Sequence, residues 1–284
     1  MLNVRKYPLY SLHALLLLLI ACLLFTACGG NGGSASNPTA PTPKAVTLKV
    51  FAAASLTESF KEIGTGFQAA HKGVTVTFNF AGSQALVQQL KNGAPGDVFA
   101  SADQANMTAA TTAGLVGDAQ VFAKNKLVLI IPKSNPGKIN SLKDLANKGI
   151  KIDIEAPTVP AGKYTRQILD KMGKSPEYGM AYENAVKANF VSQEDNVKAV
   201  VTKVQLGEAD AGFVYLTDVT AQAAQKVTEV TIPDNFNIVA EYPIATTKNA
   251  ADATDAKAFV QYVLSADGQA ILQKAHFTTV SGGA

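Results

Sequence analysis

The chain has 284 residues, 47% of them hydrophobic and 17% charged, with 22 Gly, 12 Pro, no Trp and a mean hydropathy of +0.10. This is a globular composition rather than a disordered or fibrous one. The formal net charge is +3; Arg5 and Lys6, ahead of the first apolar run, supply two of those charges, and the remaining +1 gives no reason to expect a nucleic-acid partner.

Arg5 and Lys6 lead into an apolar stretch from Leu12 to Phe25 that is short for a membrane span and ends in small residues at a cysteine. Residues 1–27 therefore read as an export leader. Leu24-Phe25-Thr26-Ala27-Cys28, followed by Gly29-Gly30, is similar to a bacterial lipoprotein cleavage site, with Cys28 as the lipid-bearing first residue. Cys22 also follows a matching run, but cleavage there would leave Leu23-Leu24-Phe25 on the mature terminus. Residues 28–45 are small, turn-forming and Pro-rich, the composition of a flexible tether. Cys22 and Cys28 are the only cysteines, so the folded body has no disulfide or thiol nucleophile, and His13, His71 and His276 are too dispersed for a local metal motif.

Beyond the tether, strands and helices alternate. Val46 to Ala53 reads as a strand, Ser55-Leu56-Thr57-Glu58 as a capping box, and Phe60, Ile63 and Phe67 as one helical face. Val74, Val76, Phe78 and Phe80 alternate with polar residues, and a helix from Ser83 to Asn92 closes at Gly93. Asp97 to Ala100 is a buried strand, Asp103 caps the helix after it, and Leu127 to Ile131 is an apolar strand ended by Pro132. Ser141 to Asp144 caps another helix, Ile150 to Ile154 is a strand, and a helix follows Pro160-Ala161-Gly162. Val197, Val200, Val201 and Val204 mark a helix ended by Gly207; Ala211 to Tyr215 is a strand; two helices with Phe259, Val263, Ile271 and Leu272 complete the chain.

This alternation predicts an α/β protein of two lobes, each a mixed, mainly parallel sheet flanked by helices. In such sheets ligands sit at the loops after the strands. Four strand-to-helix junctions stand out: Ser55, Ser83, Pro160-Ala161-Gly162 and Asn196-Val197. Each presents free backbone N–H groups and the positive end of a helix dipole, which suits an anion.

Phe51-Ala52-Ala53-Ala54-Ser55-Leu56, Phe80-Ala81-Gly82-Ser83, Gly93 to Asp103, Val159-Pro160-Ala161-Gly162-Lys163-Tyr164, Glu194-Asp195-Asn196-Val197 and Gly212-Phe213-Val214-Tyr215 together resemble the signature segments of the molybdate-binding proteins of ATP-binding cassette importers. The resemblance runs from Leu48 to Phe277 in order and spacing. It implies a type II periplasmic-binding-protein fold, with lobe I formed by 46–124 plus 242–284 and lobe II by 125–241. It also implies a tetrahedral oxyanion ligand, molybdate or tungstate, held by the hydroxyls and N–H groups of Ser55 and Ser83, the N–H groups of Ala161 and Val197, and the Tyr215 hydroxyl. No protein atom would ligate the metal and no cofactor would be required. The partners implied are a membrane permease with a cytoplasmic ATPase, for a monomeric receptor held at the membrane by its lipid. The chain departs from the family at Glu155-Ala156-Pro157, where many relatives carry Asn or Asp before Pro, and this bears on the aim of Ala161.

The chemistry agrees. A deprotonated dianion offers only acceptors, so donors satisfy it and carboxylates repel it. Another tetrahedral oxyanion, such as sulfate or thiosulfate, would use the same donors, and size must separate them. Considered singly, Ser55 and Ser83 could serve only as helix caps and Tyr215 as a core aromatic. Asp153 and Glu155 read as a solvated strand edge, Lys163 and Arg166 as surface cations, and His71 and His276 as surface or packing residues. A hydrolase elbow at Ala81-Gly82-Ser83-Gln84-Ala85 lacks both flanking glycines of Gly-x-Ser-x-Gly and would need His276 as base, so no enzyme is expected.

Overall fold

The computed structural model describes residues 45–280. The leader over 1–27, Cys22, the lipidation site Cys28 and all but the last residue of the tether lie outside those residues. Among the described residues no helix is long and apolar enough to cross a membrane.

Two sheets organise the chain. The first has strand order β11-β4-β10-β3-β1-β2, with β1 Val46–Ala53, β2 Val74–Ala81, β3 Val98–Ala100, β4 Gln120–Asn125, β10 Ala240–Thr246 and β11 Thr278–Thr279. The second has order β7-β6-β8-β5-β9, with β5 Leu127–Pro132, β6 Ile152–Glu155, β7 Phe190–Glu194, β8 Ala211–Tyr215 and β9 Val227–Val230. Lys126 alone separates β4 of one sheet from β5 of the other, and the chain returns between β9 and β10.

Both sheets are mixed, but parallel pairing does not dominate. Parallel registers join β1 to β2 and β3, and β6 to β7 and β8. Antiparallel ones join β10 to β3 and β4, β11 to β4, and β5 to β8 and β9. The antiparallel pairs all involve strands beside the passages between sheets or at the chain's end, where no βαβ crossover imposes a common direction.

Helices covering both sheet faces bury the inner strands, β6 throughout, while the edge strands β2 and β7 stay partly exposed. Val50 to Ala53 of β1 and every residue of β5 are buried. Helix α1, Thr57–Ala70, turns Phe60, Ile63 and Phe67 inward at spacings of three and four, and Phe60 and Phe67 pack edge-on against Phe259 of α7, Ala253–Leu264. The remaining helices are α2 Ser83–Lys91, α3 Gln104–Thr112, α4 Pro160–Gly173, α5 Gly179–Ala188, α6 Val197–Leu206 and α8 Ala266–Lys274. The helix expected after Ser141 is only a 3-10 turn, Leu142–Ala146, although the Ser141–Asp144 capping box is present.

Candidate oxyanion site

The ends of β1, β2, β6 and β8 and the starts of α2, α4 and α6 converge on one recess. Its lining includes Ser55, Ser83, Val197 and Tyr215, together with Ala54, Gly82, Ala102, Glu155 and Pro160. Its empty volume is about 190 Å³, open mouth included. Because that figure counts the open mouth, the enclosed space is smaller still, on the scale of a ligand of a few atoms.

Each donor arrives by a specific local route. After β1 the chain makes a 3-10 turn, Ala54–Leu56, before α1. The turn delays the helix start, so the capping box expected between Ser55 and Glu58 does not form, and Leu56 precedes α1 without a side-chain cap. Ser55 Oγ instead lies 3.0 Å from Tyr242 Oη. Ser83 is the first residue of α2, with Gly82 as its N-cap, and its Oγ accepts from the Ala102 N–H at 3.0 Å. That contact leaves the Ser83 proton free to be donated. Val197 is the first residue of α6, whose cap Asn196 accepts from the Ala199 N–H at 3.2 Å. The N–H groups of Ser83 and Val197 have no acceptor within their helices.

Tyr215, the last residue of β8, is 1% exposed, and its hydroxyl has no hydrogen-bond partner among the described residues. A buried hydroxyl left unpaired costs roughly 1–3 kcal/mol, and Tyr215 presents this unused donor to the recess. Burial first, and then the neighbouring Tyr242 and Glu155, push this phenol well above its ordinary value, which keeps it a donor.

Ala161 departs from the expected set. Its N–H donates to Glu155 Oε2 at 2.7 Å, the Gly162 N–H donates to the same oxygen at 3.1 Å, and Ala161 is not among the lining residues. Close approach of α4 to β6 makes this possible. A Cβ on Gly162 would fall 2.2 Å from the Ala156 carbonyl oxygen, so only glycine fits there.

Among the described residues, no Lys, Arg or His lines the recess. The nearby cations are already matched: Lys198 Nζ lies 2.7 Å from Glu58 and 3.1 Å from Asp218, and Lys163 Nζ lies 3.8 Å from Asp103. The donors that the recess offers an anion are hydroxyls and helix ends. The lobes also touch directly. Gln84 Nε2 donates to the Asp195 carbonyl at 3.0 Å, and a Cβ on Gly82 would meet that same oxygen at 2.2 Å.

A family model of bacterial extracellular solute-binding proteins matches residues 48–278. The chain belongs to that family. The molybdate-binding protein ModA of Mycobacterium tuberculosis is 42% identical over 252 residues, covering 88% of this chain and 91% of that protein. Its counterpart in Escherichia coli is 33% identical over 239 residues, covering 81% and 88%. Among solved structures, the periplasmic molybdate-binding protein of Azotobacter vinelandii superposes with a TM-score of 0.69 at 25% identity, over 82% of this chain and all of that one. The sulfate-binding protein SubI of M. tuberculosis superposes with a TM-score of 0.74 at 18% identity, over 83% of this chain and 88% of that one, which shows the shared fold.

Other expected residues of this solute-binding protein sit differently. Asp153 and Glu155 are 0% and 3% exposed, because β6 lies between β7 and β8 and is not an edge. Burial, then the Glu194 charge, raises the Asp153 carboxyl to about 6. Arg166 is engaged with the Glu155 and Gly162 carbonyl oxygens and Gln193 Oε1. His71 stacks on Phe67, and His276 is exposed beside a separate recess with Lys124 and Thr278. Sequence reasoning passed over Tyr242, whose partner at Ser55 is 187 positions away, and Lys198, whose partner Glu58 is 140 away. No local pattern signals such pairs.

Proposed function

We propose that this solute-binding protein captures molybdate, and also tungstate, outside the cytoplasm and delivers it to a membrane permease driven by a cytoplasmic ATPase. It acts as a monomer, held at the membrane by a lipid on Cys28, and carries out no catalysis. Lobe I, residues 46–124 and 242–284, supplies Ser55 and Ser83; lobe II, residues 125–241, supplies Val197 and Tyr215. The anion bridges the two sets and so favours the closed arrangement, in proportion to its differential affinity for closed over open.

The observation that carries this reading is the buried, unpartnered Tyr215 hydroxyl in a recess of hydroxyls and helix N-termini. Each charge-assisted bond contributes roughly 1.5–3 kcal/mol, so these donors together hold a dianion without a cationic side chain. The identity to molybdate-binding relatives supports molybdate over sulfate. Competition against bound radioactive molybdate by tungstate, sulfate and thiosulfate tests it: tungstate should displace the label and the sulfur oxyanions should not. Displacement by sulfate at equal concentration would assign the site to the alternative ligand.

A further inference from the structure

Among the described residues, Glu155 is the one carboxyl group lining a recess otherwise suited to a dianion. It ends β6 and is 3% exposed. Oε2 is committed to the Ala161 and Gly162 N–H groups, while Oε1 takes no hydrogen bond from a described residue. The charges facing it give an anion there little help. From the turn after β3 comes Asp103, matched with Lys163 of α4; from the turn after β8 comes Asp218, matched with Lys198 of α6, which α1 also engages through Glu58. On the neighbouring strand β7, Glu194 is matched with Lys203, and Asp153 precedes Glu155 on β6. Of Glu155, Arg166 meets the backbone carbonyl and not the carboxyl group. Tyr164 and Tyr215 are phenols kept neutral by burial. Burial outweighs the two N–H bonds, and with Asp218 and Asp103 it raises the Glu155 carboxyl to about 8.

We propose that Glu155 binds the oxyanion as a neutral acid, its Oε1–H supplying the donor that Ala161 would otherwise give, so that anion capture is coupled to protonation of this carboxyl. With Oε2 accepting two N–H bonds, the proton resides on Oε1. A neutral acid donates to an acceptor-only ligand; the carboxylate would set a like charge against it. Glu155 thus relays the α4 N-terminus to the ligand and makes affinity depend on pH. This rests on the molybdate reading above.

The test is calorimetry with sodium molybdate on wild type and Glu155→Gln from about pH 6.5 to about pH 9.5, in buffers of differing ionisation heat. For wild type, Kd should be flat on the acid side and weaken roughly tenfold per pH unit above about 8, with uptake approaching one proton per anion bound. Glu155→Gln keeps a neutral donor and should bind with a pH-independent Kd and no linked proton. A flat wild-type Kd without buffer-dependent heat would overturn the proposal, as would an identical pH decline in Glu155→Gln. If that variant does not fold, the wild-type series and its proton count still decide. Absence of molybdate binding at every pH would instead remove the functional reading, and this inference with it.

Discussion

Tyr242 Oη lies 3.0 Å from Ser55 Oγ, and Asn125 Nδ2 lies 3.4 Å from the same tyrosine oxygen. Tyr242 is fully buried, and Ser55 is its one acceptor among the described residues, so its proton goes to Ser55. Ser55 then has its acceptor side occupied and its own proton free for the recess. Ser83, accepting from Ala102, is set the same way. Tyr242→Phe should therefore weaken molybdate binding about tenfold, close to the upper end of the roughly 0.5–1.5 kcal/mol of a typical hydrogen bond, although Tyr242 is not among the residues lining the recess. Calorimetry on the variant checks this; unchanged affinity would mean that Ser55 needs no such orientation.

Ser83→Asp replaces a donor with a negative charge facing a dianion. Binding should become undetectable while far-UV circular dichroism stays native. Retained affinity would take Ser83 out of the site.

Glu58 and Lys198 pair at 2.7 Å across the two lobes. Burial opposes the Lys198 charge, but Asp218 and Glu58 outweigh it and hold the ammonium protonated. Glu58 is half exposed, so this arm of the pair is weak and screened by salt. Glu58→Gln should weaken molybdate binding about two- to fivefold at low ionic strength, with the difference vanishing in concentrated salt. Removing Lys198 is a poorer probe, because it would strand the buried Asp218 carboxyl.

Asp153 gives a stability prediction with a definite sign. Its folded-state value of about 6 exceeds the ordinary 3.8, so the native state binds a proton more readily than the unfolded chain. The penalty is absent below the unfolded value, grows as pH rises, and is complete above about 6. Asp153→Asn should be more stable than the parent at pH 8 by on the order of 1–3 kcal/mol, and nearly equal to it at pH 4. Urea midpoints at the two pH values decide it; a parent that matches the variant at pH 8 would show that Asp153 is paired or hydrated.

What the sequence made legible was local. The capping signal of Asp103, the valine face from Val197 to Val204 and the stop at Gly207 depend on spacings of a few residues, and the structure has each of them. The recess gathers Ser55, Ser83, Val197 and Tyr215, four of the five residues that the resemblance indicated. Failures came where partners are distant. Ser55 has a local capping partner in Glu58, yet bonds to Tyr242, since a 3-10 turn displaces the helix start. Glu155 looks like a surface carboxylate until the strand order puts β6 between two neighbours. Only then does it become the acceptor for the Ala161 N–H, which changes what the third junction offers a ligand.

The buried Tyr215 hydroxyl is the point on which the binding account rests, and titrating molybdate into wild type and Tyr215→Phe side by side tests it most directly. The account predicts one anion bound per wild-type chain and an affinity at least about tenfold lower in Tyr215→Phe, the loss of one charge-assisted hydrogen bond. Equal affinities in the two proteins, or no heat of binding in wild type, would contradict it.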